Sequence, residues 1–259
     1  MNISVCIPSY KRLKVETLKY IPYAKVYVDE SEYNSYVEAN EGATIISCKK
    51  GIQGNVARIR NHIMQTELND GADCVCIVDD DMRTLYWWVD TGNGILKMEK
   101  IPSELVLPLI EKYSQICKDM GFYHWGVNCN MDRLSYRECA PLSTLSFIGA
   151  PFSCFLKGNE CLYDEQLSLK EDYDMTIQQC NKYRGCLRVN SICYDVKQSE
   201  QTGGCASYRN YDKEKAQLEL LQRKWGTGIV KIDHSNKGKT KKVKMLDYNP
   251  IIKVPIRGI

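Results

Sequence analysis

Apolar positions in the first eighty residues come in short runs separated by longer polar stretches. Ile3 to Pro8 (ISVCIP) is such a run closed by proline, which predicts a strand leading into a loop. Lys25 to Val28 and Ala43 to Ser47 predict two further strands, with helix-compatible segments between them. From Gln53 to Leu68 the residues Val56, Ile59, Ile63 and Met64 recur at helical spacing, and Asn69, Asp70 and Gly71 predict the stop. Asp73 to Val78 is a continuous apolar strand that runs straight into Asp79, Asp80 and Asp81. The second half is less regular: helices are expected over 103–120, 172–183 and 212–225, and strands over 123–129 and 144–156. Strands alternating with helices predict an α/β fold whose mostly parallel sheet is covered on both faces. Ligands in such sheets gather at the carboxyl ends of strands, so the aspartate triplet marks the expected site.

Composition narrows the class. The chain has 259 residues, 44% of them apolar and 26% charged, which excludes a disordered chain and fits one large α/β domain. No apolar run approaches the roughly 20 residues that span a bilayer. Met1 leads almost directly into the first strand with no signal-peptide pattern, so the expected location is the cytoplasm. The 13 cysteines contain no CxxC pair and are odd in number, which predicts reduced, buried thiols. A net charge of +3 hides a cluster of Lys231, Lys237, Lys239, Lys241, Lys242, Lys244, Lys253 and Arg257 near the end. Such a cluster suits a phosphate backbone or a pyrophosphate, and a solvated tail is the alternative.

Two constellations carry chemistry. Three adjacent carboxylates repel one another unless a cation neutralises them, and Mg²⁺ or Mn²⁺ does so while diphosphate oxygens and water complete its shell. If the strand continues, Asp79 and Asp81 point to one side and Asp80 to the other. An acidic loop capping a helix is the competing reading. In SLKEDYDM, Glu171 and Asp172 sit at a helix start, where they either cap it or supply a general base. His62 and His124 are expected to pack or to lie at the surface, and Trp87 and Trp88 to line a sugar site or fill the core.

The ordered set IPSYKR (7–12), RIRN (58–61), VDDD (78–81), YDEQLSLKEDYDM (163–175) and a late His234 resembles the GT-A glycosyltransferases. The resemblance implies a GT-A type fold, a Rossmann-like sheet with flanking helices and an irregular acceptor-side half. It implies one domain over 1–259: a nucleotide-sugar half (1–100), an acceptor half (101–234) and a basic segment (235–259). By position, Pro8, Ser9, Tyr10 and Arg12 would line the donor pocket with Arg58, Arg60 and Asn61. Asp79 and Asp80 would face the donor, and Asp81, with Asp79 and His234, would hold Mn²⁺ or Mg²⁺. Asp172, helped by Glu171, would act as base in an inverting transfer from a nucleotide sugar, a UDP-sugar first among them. Lys237 and Lys239 would steady the departing diphosphate.

More narrowly, SYKR, VYVDESEYNSY, GIQGNVARIRN and QTGGCASYRN resemble the TET-associated glycosyltransferases, whose phage members are thought to act on hydroxymethylated pyrimidines in DNA. That implies duplex DNA as partner and, for a phage protein, the host cytoplasm as location. A protein or saccharide acceptor, a nucleotidyltransferase, and an inactive GT-A-like binding module stay open. SYKR lacks the glycine-rich phosphate loop that nucleotidyl transfer usually uses, and nothing resembles the nucleophile elbow of a hydrolase. If the basic segment tracks DNA, neutralising Lys241, Lys242 and Lys244 together weakens duplex binding and flattens its dependence on salt. A filter-binding salt titration that shows no change refutes that role.

Overall fold

The computed structural model describes residues 1–92, 94–196, 204, 209–233 and 248–254. Ten strands form one sheet: β1 (Ile3–Pro8), β2 (Lys25–Asp29), β3 (Thr44–Cys48), β4 (Cys74–Val78), β5 (Met82–Asp90), β6 (Leu96–Lys100), β7 (His124–Asn128), β8 (Leu142–Ser143), β9 (Phe152–Leu156) and β10 (Leu187–Val196). Their order is β3-β2-β1-β4-β9-β7-β10-β5-β6, with β8 beside β10. The ladders make β1, β2, β3, β4, β6, β7 and β10 run one way and β5, β8 and β9 the other. The chain therefore forms the expected α/β fold with a large, mostly parallel sheet, and the carboxyl ends of β1, β4, β7 and β10 share one edge.

Alternation along each strand divides the core. Val5 and Ile7 of β1 with Cys74, Cys76 and Val78 of β4 face α1 (Tyr33–Ala39) and α3 (Val106–Asp119). Cys6, Val75 and Ile77 face the opposite way, against α2 (Val56–Asn69) and Met175 of α4 (Glu171–Tyr183). Strands buried on both sides carry little but apolar residues, which is why β4 is buried at all five positions. A smaller cluster joins α4 to α5 (Tyr211–Trp225) and to the two-stranded sheet of β11 (Val230–Ile232) and β12 (Pro250–Ile252).

Most expected elements fall within a few residues of their observed bounds. Helix α2 begins at Val56 rather than at Gln53, because the Asn55 side chain accepts from the N–H groups of Ala57 and Arg58 and so caps it. The strand expected over 144–156 is a correction: only Phe152–Leu156 is extended. Pro151 has no N–H for a ladder, and its run-up is tied instead to α4 by the Ile148 N–H to Thr176 Oγ1, at 3.3 Å. Strands β5, β6 and β10 form the far side of the sheet without having been anticipated. Of the twelve described cysteines all are free thiols, and only Cys129 and Cys139 are exposed. No described helix is long and apolar enough to cross a membrane.

One buried polar knot ties α2 to the sheet. Glu67, 4% exposed, accepts from Ser4 Oγ at 2.5 Å, from the Tyr27 hydroxyl and from Lys25 Nζ at 2.7 Å. Burial raises its carboxyl pKa, but Lys25, Ser4 and Tyr27 together outweigh that and hold it below the usual value. A depressed folded-state pKa contributes stability that is complete above the unfolded value and is lost as pH falls through the folded one. Glu67→Gln is therefore expected to cost about 1–3 kcal/mol at pH 7 and less below a pH of about 4. Urea unfolding of both proteins at the two pH values checks this, and an equal deficit at both refutes it.

Candidate functional site

The site is built where β1 and β4 end side by side. After Pro8 the chain turns through Lys11, whose φ of 57° lies in the left-handed region. This returns Arg12 toward β4, where its Nη1 donates to Asp80 Oδ1 at 2.6 Å and to Asp81 Oδ2 at 3.1 Å. Ser9 Oγ donates to Asp80 Oδ2 at 2.7 Å and shares a 2.9 Å bond with the Tyr36 hydroxyl, which also accepts from the Arg12 N–H at 3.0 Å. Gln53 Nε2 donates to the carbonyls of Ser9 and Tyr27. Thr17 holds the triplet's backbone, with its hydroxyl on the Asp79 carbonyl at 2.6 Å and its N–H on that of Asp80 at 3.3 Å. Strand β4 stops at Val78, so the expected alternation does not extend into the triplet. Asp80 and Asp81 instead share one guanidinium, while Asp79 turns to another.

That other cation is Arg60 of α2, 2% exposed. Its Nη2 donates to Asp79 Oδ1 at 2.5 Å and its Nη1 to Glu171 Oε1 at 3.0 Å, and it lies 5.9 Å from the centre of the Tyr163 ring. One guanidinium thus joins the end of β4 to the first turn of α4. Burial and the neighbouring Asp172 push the Glu171 carboxyl up to about 8 against the pull of Arg60. Asp81 is pushed up to about 7 by burial and by Asp79 and Asp80. Asp172 is raised mainly by burial, although it accepts the N–H of Tyr173 at 2.9 Å and that of Ala150. A carboxylate of raised basicity at the edge of the cleft is equipped to take a proton near neutral pH.

The expected residues separate into three groups. Ser9, Arg12, Arg60, Asp79, Asp80, Asp81, Glu171 and Asp172 form one hydrogen-bonded and electrostatic cluster, with Pro8 and Tyr10 at its β1 end. Arg58 and Asn61 do not join it. Arg58 donates to Glu165 at 2.8 Å and to the Gly51 carbonyl at the surface, and Asn61 exchanges two 2.8 Å bonds with the backbone of Tyr163. On a helix, positions 58 and 61 face away from 60, so a three-residue motif cannot place all of them in one pocket. His234, Lys237 and Lys239 lie outside the described residues. Thr17, Tyr36, Gln53 and Tyr163 were not read from the sequence, because each acts through a partner remote in the chain.

The donor set suits a hard divalent cation. Among the described residues Asp79 Oδ2 and Asp81 Oδ1 have no hydrogen-bond partner, and Mg²⁺ or Mn²⁺ typically takes only one or two carboxylates beside phosphate and water. Among the described residues no group of three or more His, Cys, Asp or Glu side chains is placed to hold a metal ion, so such a cation would rest on this pair and on its ligand.

No protein-family model and no curated protein matches the chain. Among solved structures it is similar to CMP:2-keto-3-deoxy-manno-octonic acid synthetase complexed with CTP, with a TM-score of 0.44 and 9% identity over 86% of this chain and 100% of that one. It is similar to A197 from STIV (TM-score 0.41, 10% identity, 76% of this chain and 86% of that one). A third is UDP-glucose pyrophosphorylase complexed with UDP-glucose (TM-score 0.38, 8% identity, 76% and 92%). These likenesses are too distant to assign residues.

Arg60→Met leaves Asp79 and Glu171 without their shared cation. Breaking one side of a buried ion pair costs about 3–5 kcal/mol, so a loss of that order is expected in chemical unfolding. The double variant with Glu171→Met should recover part of it, and strictly additive losses would show that the two side chains are not coupled.

Proposed function

We propose that this chain is a metal-dependent glycosyltransferase of GT-A type, moving a sugar from a nucleotide-sugar donor to a hydroxyl acceptor. The observation that carries the reading is Arg60, which binds Asp79 of the strand-end triplet and Glu171 of the helix-start pair at once. Donor-side and acceptor-side carboxylates thereby face one cleft, with Asp172 beside Glu171. A module that only binds a partner needs no such arrangement of charges.

In this reading Ser9, Tyr10 and Arg12 flank the nucleoside and Asp79 meets the donor. A divalent cation held by Asp81 and Asp79 would neutralise the diphosphate as it leaves. Asp172 accepts the proton of the acceptor hydroxyl as the oxygen attacks the anomeric carbon. The new carbon–oxygen bond forms on the face opposite the breaking bond to the diphosphate, giving inversion and releasing a nucleoside diphosphate. Glu171, locked to Arg60, holds the first turn of α4 and hence the position of Asp172. The acceptor is proposed to be hydroxymethylated pyrimidine in DNA, a reading supported by the basic composition of the C-terminal segment and by the motif resemblance. Nucleotidyl transfer is the rival, and its product, pyrophosphate rather than a nucleoside diphosphate, separates the two.

A panel of nucleotide sugars with and without Mn²⁺, scored for nucleoside diphosphate and for mass gain on hydroxymethylated DNA, tests the proposal. Asp172→Asn is expected to bind the donor still while transfer falls about 10²–10⁴-fold. Because Asp172 must be ionised to act and its pKa is raised, the wild-type rate should climb with pH through that pKa. Full transfer by Asp172→Asn, or no turnover of any donor with either metal, overturns the reading.

A further inference from the structure

Strand β10 runs parallel to β7, so its carboxyl end opens on the same edge as the aspartate triplet. Tyr194 stands near that end and is only 7% exposed, yet among the described residues its hydroxyl has no hydrogen-bond partner, and it is not sealed from solvent. Its hydroxyl lies against Gly149, the residue before Ala150, whose N–H donates to Asp172, and Asp172 and Asp79 are among the charges that act on it. A buried, unpaired hydroxyl is costly unless something completes it. Gly149 gives this position its room: a Cβ there would stand 2.5 Å from the Tyr194 hydroxyl and 3.3 Å from Cys129 Cβ.

Arg188 precedes it on the same strand, partly buried, and the register shift between Val189 and Cys193 brings both side chains to the 147–149 loop. Its Nε donates to Asn190 Oδ1 at 2.8 Å and its Nη1 to the Phe147 carbonyl at 3.2 Å, whereas Nη2 has no partner among the described residues and is not sealed from solvent. Among the described residues the guanidinium pairs with no carboxylate; the groups that act on it are Cys129, Cys186 and Tyr194. Burial without a counter-anion leaves a positive charge uncompensated. Phe147 in turn stacks on Tyr173 at 4.2 Å, which fixes this loop against the first turn of α4 beside Asp172.

We propose that Tyr194 and Arg188 form an acceptor subsite, in which the Tyr194 hydroxyl hydrogen-bonds the acceptor next to the group Asp172 deprotonates and Arg188 takes an oxyanion, phosphate or carboxylate, carried by that acceptor. The proposal rests on the transferase reading above. It makes the acceptor an acidic molecule on the strength of this strand alone, independent of the basic C-terminal segment.

The test compares three acceptors with the productive donor: hydroxymethyldeoxycytidine monophosphate, glucuronic acid and the uncharged hydroxymethyldeoxycytidine. The wild type is expected to prefer one of the acidic acceptors, and which one identifies the oxyanion. Arg188→Met should raise KM for that acceptor about 10- to 100-fold and abolish the preference, with Arg188→Lys restoring part of it. Tyr194→Phe should lower kcat/KM about tenfold with an unchanged melting temperature, since no bond within the chain is lost. Equal use of all three acceptors by the wild type, or a preference that survives Arg188→Met, overturns the subsite. Calorimetric titration of the monophosphate without donor separates the two readings. If its binding weakens in Arg188→Met although no donor turns over, the transferase reading fails and the subsite stands. If donors turn over and the variant binds the monophosphate as tightly as the wild type, the subsite fails alone.

Discussion

The arrangement depends on a single buried cation. Arg60 is enclosed almost completely, and an enclosed guanidinium is tolerated only when its charge is met at short range. It is met twice, by Asp79 from the end of a strand and by Glu171 from the start of a helix, 111 residues from Arg60 in the chain. Without it, Asp79 and Glu171 would lose the cation they share, and only Lys170 would remain to offset Asp172 beside them. With it, they become a rigid frame whose free oxygens face the cleft.

A second clamp works differently. Arg12 and Ser9 close on Asp80, which is 7% exposed, while Tyr36 steadies both from α1 and Thr17 holds the backbone behind them. Asp80 is thereby committed to joining β1 to β4. The triplet is not three equivalent ligands: its middle member anchors the loop, and the outer two each keep one carboxylate oxygen unbonded. Division of this kind follows from where β4 stops, because a continuing strand would have sent Asp80 away from the others.

What was legible in the sequence follows the same line between local and remote. The apolar runs of β1, β2, β3 and β4 and the helical spacing of α2 are local patterns, and burial on both faces of the sheet left β1, β2 and β4 unambiguous. The carboxylate motifs were legible because their position at a strand end and a helix start is local too. Strand β10 was not, since polar Arg188, Asn190 and Ser191 interrupt it and its register shifts between Val189 and Cys193. The bonds of Asn61 were not legible for a related reason: a polar residue beside Arg60 in the chain lies on another side of the helix and bonds the backbone of Tyr163. Thr17 and Tyr36 carry no signature of their own, because their value lies entirely in what the fold brings to them.

Charge balance argues further about what enters the cleft. Asp79, Asp80, Asp81, Glu171 and Asp172 are opposed within the cluster by Arg12 and Arg60, so the carboxylates outnumber the guanidinium groups. The pKa values of Asp81 and Glu171 are raised first by burial and then by the neighbouring carboxylates, so each holds its proton longer. A nucleoside diphosphate brings still more negative charge and would be repelled by the same groups. A hard cation between the free oxygens of Asp79 and Asp81 and the diphosphate relieves both problems together, ionising the carboxylates and attracting the donor. On the proposed transferase reading, metal and donor would therefore bind cooperatively, each weakly alone.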